Sequence, residues 1–125
     1  MAMAQTPLWL NGKIVIEKLS IATTFIPRFL GLMGRAGIAD NEALLFPKCN
    51  SIHTFFMRFP IDVIFVGEDG TVVEVISKLG GWRMLLPRRR VKHTIEMRAG
   101  RSQELGIASG CRLEWGSGKR LNVEV

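Results

Sequence analysis

Cysteine is scarce: Cys49 and Cys111 are the only two among 125 residues, and they form no C-x-x-C pair. That excludes a disulfide framework, and both are read as reduced thiols. Long apolar runs are missing too. No stretch reaches the roughly 20 uninterrupted apolar residues of a membrane span. The N-terminus lacks the basic start and apolar region of a secretory leader, so a cytoplasmic location is expected. Also missing are a phosphate-binding glycine loop, an H-E-x-x-H helix, a nucleophile elbow and a clustered-cysteine zinc site. Cys49 and His53 as a thiolate–imidazole pair, or Cys49, His53, Asp62 and His93 as metal ligands, have no diagnostic spacing. No catalytic residue, metal or cofactor is therefore assigned. Repeats, low-complexity tracts and linkers are absent, which leaves a single domain over 1–125 with residues 1–8 as a loose tail. A chain of this length buries roughly two-thirds of its unfolded surface, enough for a self-standing core.

What the chain does contain is concentrated between Ser51 and Val66, its most apolar long run, interrupted by His53, Thr54, Arg58 and Asp62. Pro60 divides the run, because the residue before a proline is pushed out of the helical region. Phe, Val and Ile on both sides favour strands. In the first, His53, Phe55 and Met57 share one face, and Thr54, Phe56 and Arg58 the other. In the second, Ile61, Val63 and Phe65 oppose Asp62, Ile64 and Val66. Large apolar groups on both faces predict central strands buried on both sides. A carboxylate among them needs partners. Either Asp62 pairs internally, with Arg58 or with backbone at the proline bend, or His53, Thr54, Arg58 and Asp62 converge on the polar floor of a pocket.

The segment from Ile52 to Phe65 (IHTFFMRFPIDVIF) resembles the signature of the DUF192 (UPF0127) family, a group of small bacterial and archaeal proteins of unknown function. The similarity extends to Gly31-Leu32-Met33-Gly34-Arg35, Ala43 to Phe46, Gly70, Trp82-Arg83, Ile95-Glu96-Met97, Ala99-Gly100 and Gly106-Ile107, or roughly residues 20–115. The resemblance implies a mostly β fold, a compact sandwich or barrel of jelly-roll type. Gly80-Gly81 stands where many relatives have proline before Trp-Arg, which should loosen that loop.

The remaining pattern agrees with a mainly β domain carrying one or two short helices. Asn11-Gly12 is a turn leading into a strand from Lys13 to Glu17. Thr23 or Thr24 caps a helix with Phe25, Phe29, Leu32 and Met33 on one face, ending at Gly34. Ala43 to Phe46 is a strand, and residues 67–70 join the signature's second strand to Thr71–Leu79 as a hairpin. A strand runs from Val91 to Met97, then a short helix from Ala99 to Leu105. Residues 111–115 and 121–125 form a terminal hairpin.

The formal charge of +6 is local: Arg83, Arg88, Arg89, Arg90 and Lys92 supply five of it. This basic segment is either a solvated loop or a contact for nucleic acid, an anionic surface or an acidic partner. The combined reading is a binding or accessory domain. His53, Thr54, Arg58, Asp62, Trp82 and Arg83 are its candidate ligand residues for a small anionic ligand or peptide. Single-stranded nucleic acid or an acidic partner on Arg88, Arg89, Arg90 and Lys92 is the alternative, and an enzyme using His53 and Asp62 is another.

Overall fold

A computed structural model of the chain describes residues 4–22, 37–53 and 58–116. Strand β1 (Ala4–Leu10) turns at Asn11-Gly12 into β2 (Lys13–Ile21). Both turn residues have positive φ, 52° and 82°, as a two-residue hairpin loop between twisted strands requires. The expected loose tail is thus a strand from Ala4 onward. Thr6, Leu8 and Leu10 alternate inward and are buried, and Pro7 is accommodated at a shift in register between Thr6 and Leu8.

The other elements are β3 (Glu42–Phe46), β4 (Ile52–His53), β5 (Ile61–Val66), β6 (Val72–Leu79), β7 (Met84–Leu85), β8 (His93–Arg98), helix α1 (Arg101–Leu105) and β9 (Leu113–Trp115). Seven strands form one sheet in the order β6-β5-β8-β3-β2-β1-β9, antiparallel except for β2 and β3. It curls into a half-barrel. Its outer edges are drawn together at one end: Val72 N donates to Cys111 O at 2.8 Å, and Gly110 N to Val72 O at 2.9 Å. Strands β4 and β7 form a separate two-stranded ladder. The mainly β reading holds, as do the β5–β6 hairpin and the short helix before Gly106. The expected helix over 23–34 and the strand over 121–125 lie outside the described residues.

Both faces of the sheet are covered, and strand alternation sorts the side chains between them. One face carries Leu45, Ile64, Val66, Ile95 and Met97, packed with Leu8, Leu19, Ile107 and Leu113. Helix α1 lies on this side, with Leu105 against the cluster. The other face carries Leu44, Phe46, Ile61, Val63 and Phe65, packed with Ile38 and Val91. Ile52 of β4 and Leu85 of β7 rest on this second face. β5 is therefore buried along its whole length, as its two-sided apolar pattern predicts.

Gly70 fixes the closure. Its φ is +91°, and a Cβ there would lie 2.3 Å from the carbonyl oxygen of Leu113, whose amide donates to Gly70 O. Gly110 also has positive φ (+94°), but a Cβ there meets nothing within 4 Å. Gly70→Ala is expected to cost roughly 3 kcal/mol or more, and Gly110→Ala about 1 kcal/mol, the left-handed penalty alone. Urea unfolding of the two variants checks the order; equal losses would show that the contact with Leu113 relaxes freely.

Candidate binding edge and two buried carboxylates

Asp62 is fully buried and is fastened by the protein itself. Oδ1 accepts from the amides of Lys78 (2.9 Å) and Gly100 (3.0 Å); Oδ2 accepts from the Ser102 amide (3.0 Å) and hydroxyl (2.5 Å). Local structure explains the arrangement. β6 bulges opposite Asp62, since Ile61 pairs with Leu79 but Val63 with Ile76. Lys78 in the bulge has φ +55°, and its amide has no ladder partner of its own. Gly100 caps α1 with no side-chain bond. The carboxylate from a distant strand takes over that capping role, accepting from otherwise orphaned first-turn amides. Burial pushes the Asp62 carboxyl up, but the bonds from Ser102 and the three amides outweigh it, and the pKa falls below 3.8.

Arg58 is not among these donors; its side chain is exposed. Asp62 also lies on the α1 face of the sheet, whereas the β4–β7 ladder packs on the opposite face. Asp62 is therefore not brought together with the ladder that carries His53 and leads into Trp82: alternation along β5 turns it to the other face of the sheet. Thr54 lies outside the described residues.

The ladder does bring His53 and the Trp82-Arg83 loop together. Its register pairs Ile52 with Leu85 and His53 with Met84, so Arg83 and Trp82 follow directly beyond the His53 backbone. Leu85 turns inward while Trp82, Met84 and Leu86 are 64%, 59% and 66% exposed. Trp82 sits at φ +61°, an uncommon conformation for a bulky residue that marks local strain. Arg83 beside it in the chain is exposed, as are Arg89, Arg90 and Lys92 further along the same segment. Arg88 differs from them. Its guanidinium bonds Glu74 (3.2 Å) and Leu86 O (2.8 Å) and lies 5.0 Å from the Phe65 ring centroid. It clamps the loop to the sheet, which removes it from the expected Arg88, Arg89, Arg90 and Lys92 contact.

A buried carboxyl on the ladder's side of the sheet is Glu96, 4% exposed and opposite Leu44 and Val63 in the pairing. Burial alone pushes its pKa up to about 8, so it is largely protonated at neutral pH. Alternation along β8 puts Glu96 on the same face as Thr94, opposite Ile95 and Met97. The available signal was that its neighbours in pairing, Leu44 and Val63, belong to strands apolar on both faces. His93 accepts from the Lys48 amide through Nδ1 at 3.2 Å and packs edge-on to Trp115, 5.5 Å between centroids. Burial first, then Lys92, lowers its pKa. Among the described residues no group of three or more His, Cys, Asp or Glu is placed to hold a metal ion. No helix among them is long and apolar enough to cross a membrane.

The family model for DUF192, described as an uncharacterized ACR, matches residues 8–115. This chain belongs to the DUF192 family. It is 37% identical over 111 residues to a UPF0127 protein of Pyrococcus furiosus, covering 84% of this chain and 92% of the relative. It is 38% identical over 104 residues to one of Pyrococcus abyssi, covering 78% and 86%. Among solved structures, it resembles a protein from Sinorhizobium meliloti described as a candidate transcription regulator, at 23% identity and TM-score 0.80 over 92% of this chain and 96% of that one. A protein of unknown function from Novosphingobium aromaticivorans is similar at 23% identity and TM-score 0.75, over 90% and 85%. These two likenesses show the fold alone.

Two outcomes test the carboxylates. Asp62→Ala removes the acceptor of the buried Ser102 amide, at roughly 1–3 kcal/mol, and of the part-buried Lys78 and Gly100 amides, at less each. A large fall in the urea midpoint is expected, and a change within about 0.5 kcal/mol would be incompatible with a fastening role. Glu96 acts through pH. Its folded pKa, about 8, exceeds the ordinary 4.5, so its contribution is complete below pH 4.5 and is lost as pH rises through 8. Glu96→Gln should therefore gain on the wild type across that window, by at most about 1.4 kcal/mol per pH unit. Parallel stability profiles for the two proteins would rule this out.

Proposed function

We propose that this DUF192 protein is a binding domain that takes a small anionic ligand or an acidic peptide at the β4–β7 edge. The observation that carries the reading is the exposed, positive-φ Trp82 beside the exposed Arg83, set by the ladder against the His53 strand. Backbone strain in a bulky residue persists only where its surroundings enforce it, and such residues cluster at ligand clamps. Arg83 supplies a forked donor for a carboxylate or phosphate, and Trp82 a flat apolar face beside it. Arg58 and His53 remain candidate contributors. Asp62 does not, because protein donors occupy both of its oxygens.

The competing readings have less support. An enzyme using His53 and Asp62 would have to act across the sheet, since Asp62 belongs to the α1 face and strand β4 packs on the other. Single-stranded nucleic acid would need a basic track, yet Arg88 is bound to Glu74 and Met84 and Leu86 interrupt the remaining cations.

Calorimetric titration with an oligoglutamate peptide and with inorganic phosphate tests the proposal. Binding to at least one is expected, weakened roughly tenfold or more by Arg83→Ala, since a charge-assisted hydrogen bond is worth about 1.5–3 kcal/mol. Trp82→Ala should weaken it as well. Affinity that is unchanged in both variants would place the site elsewhere, and no heat with either probe would remove the anion from the reading.

A further inference from the structure

Among the described residues, four large hydrophobic side chains are exposed: Ile14, Trp82, Met84 and Leu86. Three of the four lie within the five residues from Trp82 to Leu86, and the exposure of Met84 has a local cause. β7 is paired to β4 with Leu85 turned onto the sheet, so its strand neighbour Met84 points the other way, and Trp82 and Leu86 stand exposed on either side of this short strand. Arg88 then holds the stretch in place. Its guanidinium donates to Leu86 O at 2.8 Å and to Glu74, and its amide donates to Asn50 O at 3.1 Å. The apolar ridge is therefore a built feature of the fold. Exposed Arg89, Arg90 and Lys92 follow it directly, and Arg83 lies within it.

We propose that this ridge docks on an anionic lipid bilayer. A row of projecting Trp, Met and Leu offers a partner protein no concavity to fill, but it suits a deformable surface that accepts apolar side chains one by one. Tryptophan belongs at the boundary between headgroups and acyl chains. The cations beside the ridge match the negative potential of anionic lipids, which attracts basic residues close to the surface. Apolar insertion and charge attraction are the two signals that surface binding combines. The surface extends beyond the ligand edge proposed above, and its test residues differ: Met84 and Leu86 for insertion, Arg89 and Arg90 for charge.

Vesicles of phosphatidylcholine with and without phosphatidylglycerol, co-sedimented with the full chain, provide the test. The protein should pellet with the anionic vesicles and stay in solution with the neutral ones. Arg89→Ala/Arg90→Ala should weaken pelleting on the order of tenfold. Met84→Ser/Leu86→Ser, both exposed and outside the core, should weaken it comparably while the thermal midpoint stays near wild type. No pelleting with anionic vesicles overturns the proposal. So does equal pelleting with neutral ones, which would mean apolar adhesion alone. Pelleting unaffected by the Met84 and Leu86 changes would mean charge attraction without docking and likewise overturns it. Peptide or phosphate binding that needs Arg83, in a protein that ignores both vesicles, would leave the ligand site standing and remove the bilayer. Vesicle binding without either soluble probe would do the reverse.

Discussion

One carboxylate holds three parts of this molecule in register. Asp62 sits in a central strand, and the amides it accepts from come from the β6 bulge, the turn after β8 and the first turn of α1. Each of those segments adopts a backbone shape with polar groups that the regular ladder does not pair: positive φ at Lys78, positive φ at Gly100, and a helix start without its own cap. An ionised carboxyl is suited to this because each oxygen accepts two hydrogen bonds at separate angles. The cost of burying the charge is offset by four donors at short range, and the net effect is a stronger acid than a free aspartate. Helix α1, only five residues long, owes its place to that anchor and to the surface pairs of Arg98 and Arg101 with Glu104.

The sheet also divides the molecule chemically. On the α1 face the buried carboxyl is surrounded by donors and ionised. On the ladder face the buried carboxyl, Glu96, stands between Leu44 and Val63 and is held largely in its neutral form at neutral pH. The same side chain type takes opposite protonation states on the two sides of one β-sheet. At Asp62 the hydrogen bonds outweigh burial, whereas at Glu96 burial sets the shift.

Much of the architecture was legible in the sequence. The two-sided apolar pattern of Ile61 to Val66, broken only by Asp62, marked a central strand, and the turn at 67–70 marked its hairpin. Asp62 stood out as a carboxylate that had to be satisfied, but its partners did not. They are backbone amides on distant segments, and an amide has no signature in a sequence. Arg58 was the nearest cation along the chain and proved exposed. Strand alternation also separated Asp62 from the ladder face, but only the fold shows which face the ladder covers. β1 was hidden because Pro7 disguised the Thr6, Leu8, Leu10 alternation. The basic run looks uniform in the sequence, whereas Arg88 is engaged by Glu74, Leu86 and the Phe65 ring.

The pairing of β1 with β9 bears on how the protein is made. Leu8, Trp9 and Leu10 hydrogen-bond to the strand at residues 113–115, and the β6 edge is joined through residues 110–113. During synthesis the first strand therefore emerges long before the partner on its outer side. Until residue 115 has left the ribosome, β1 exposes an open edge and the incomplete sheet exposes the face that Ile107 and Leu113 later cover. Contacts between segments so distant in the chain form late, and unpaired strand edges are a source of misassociation in nascent chains. The period of vulnerability thus spans the synthesis of every residue between β1 and β9.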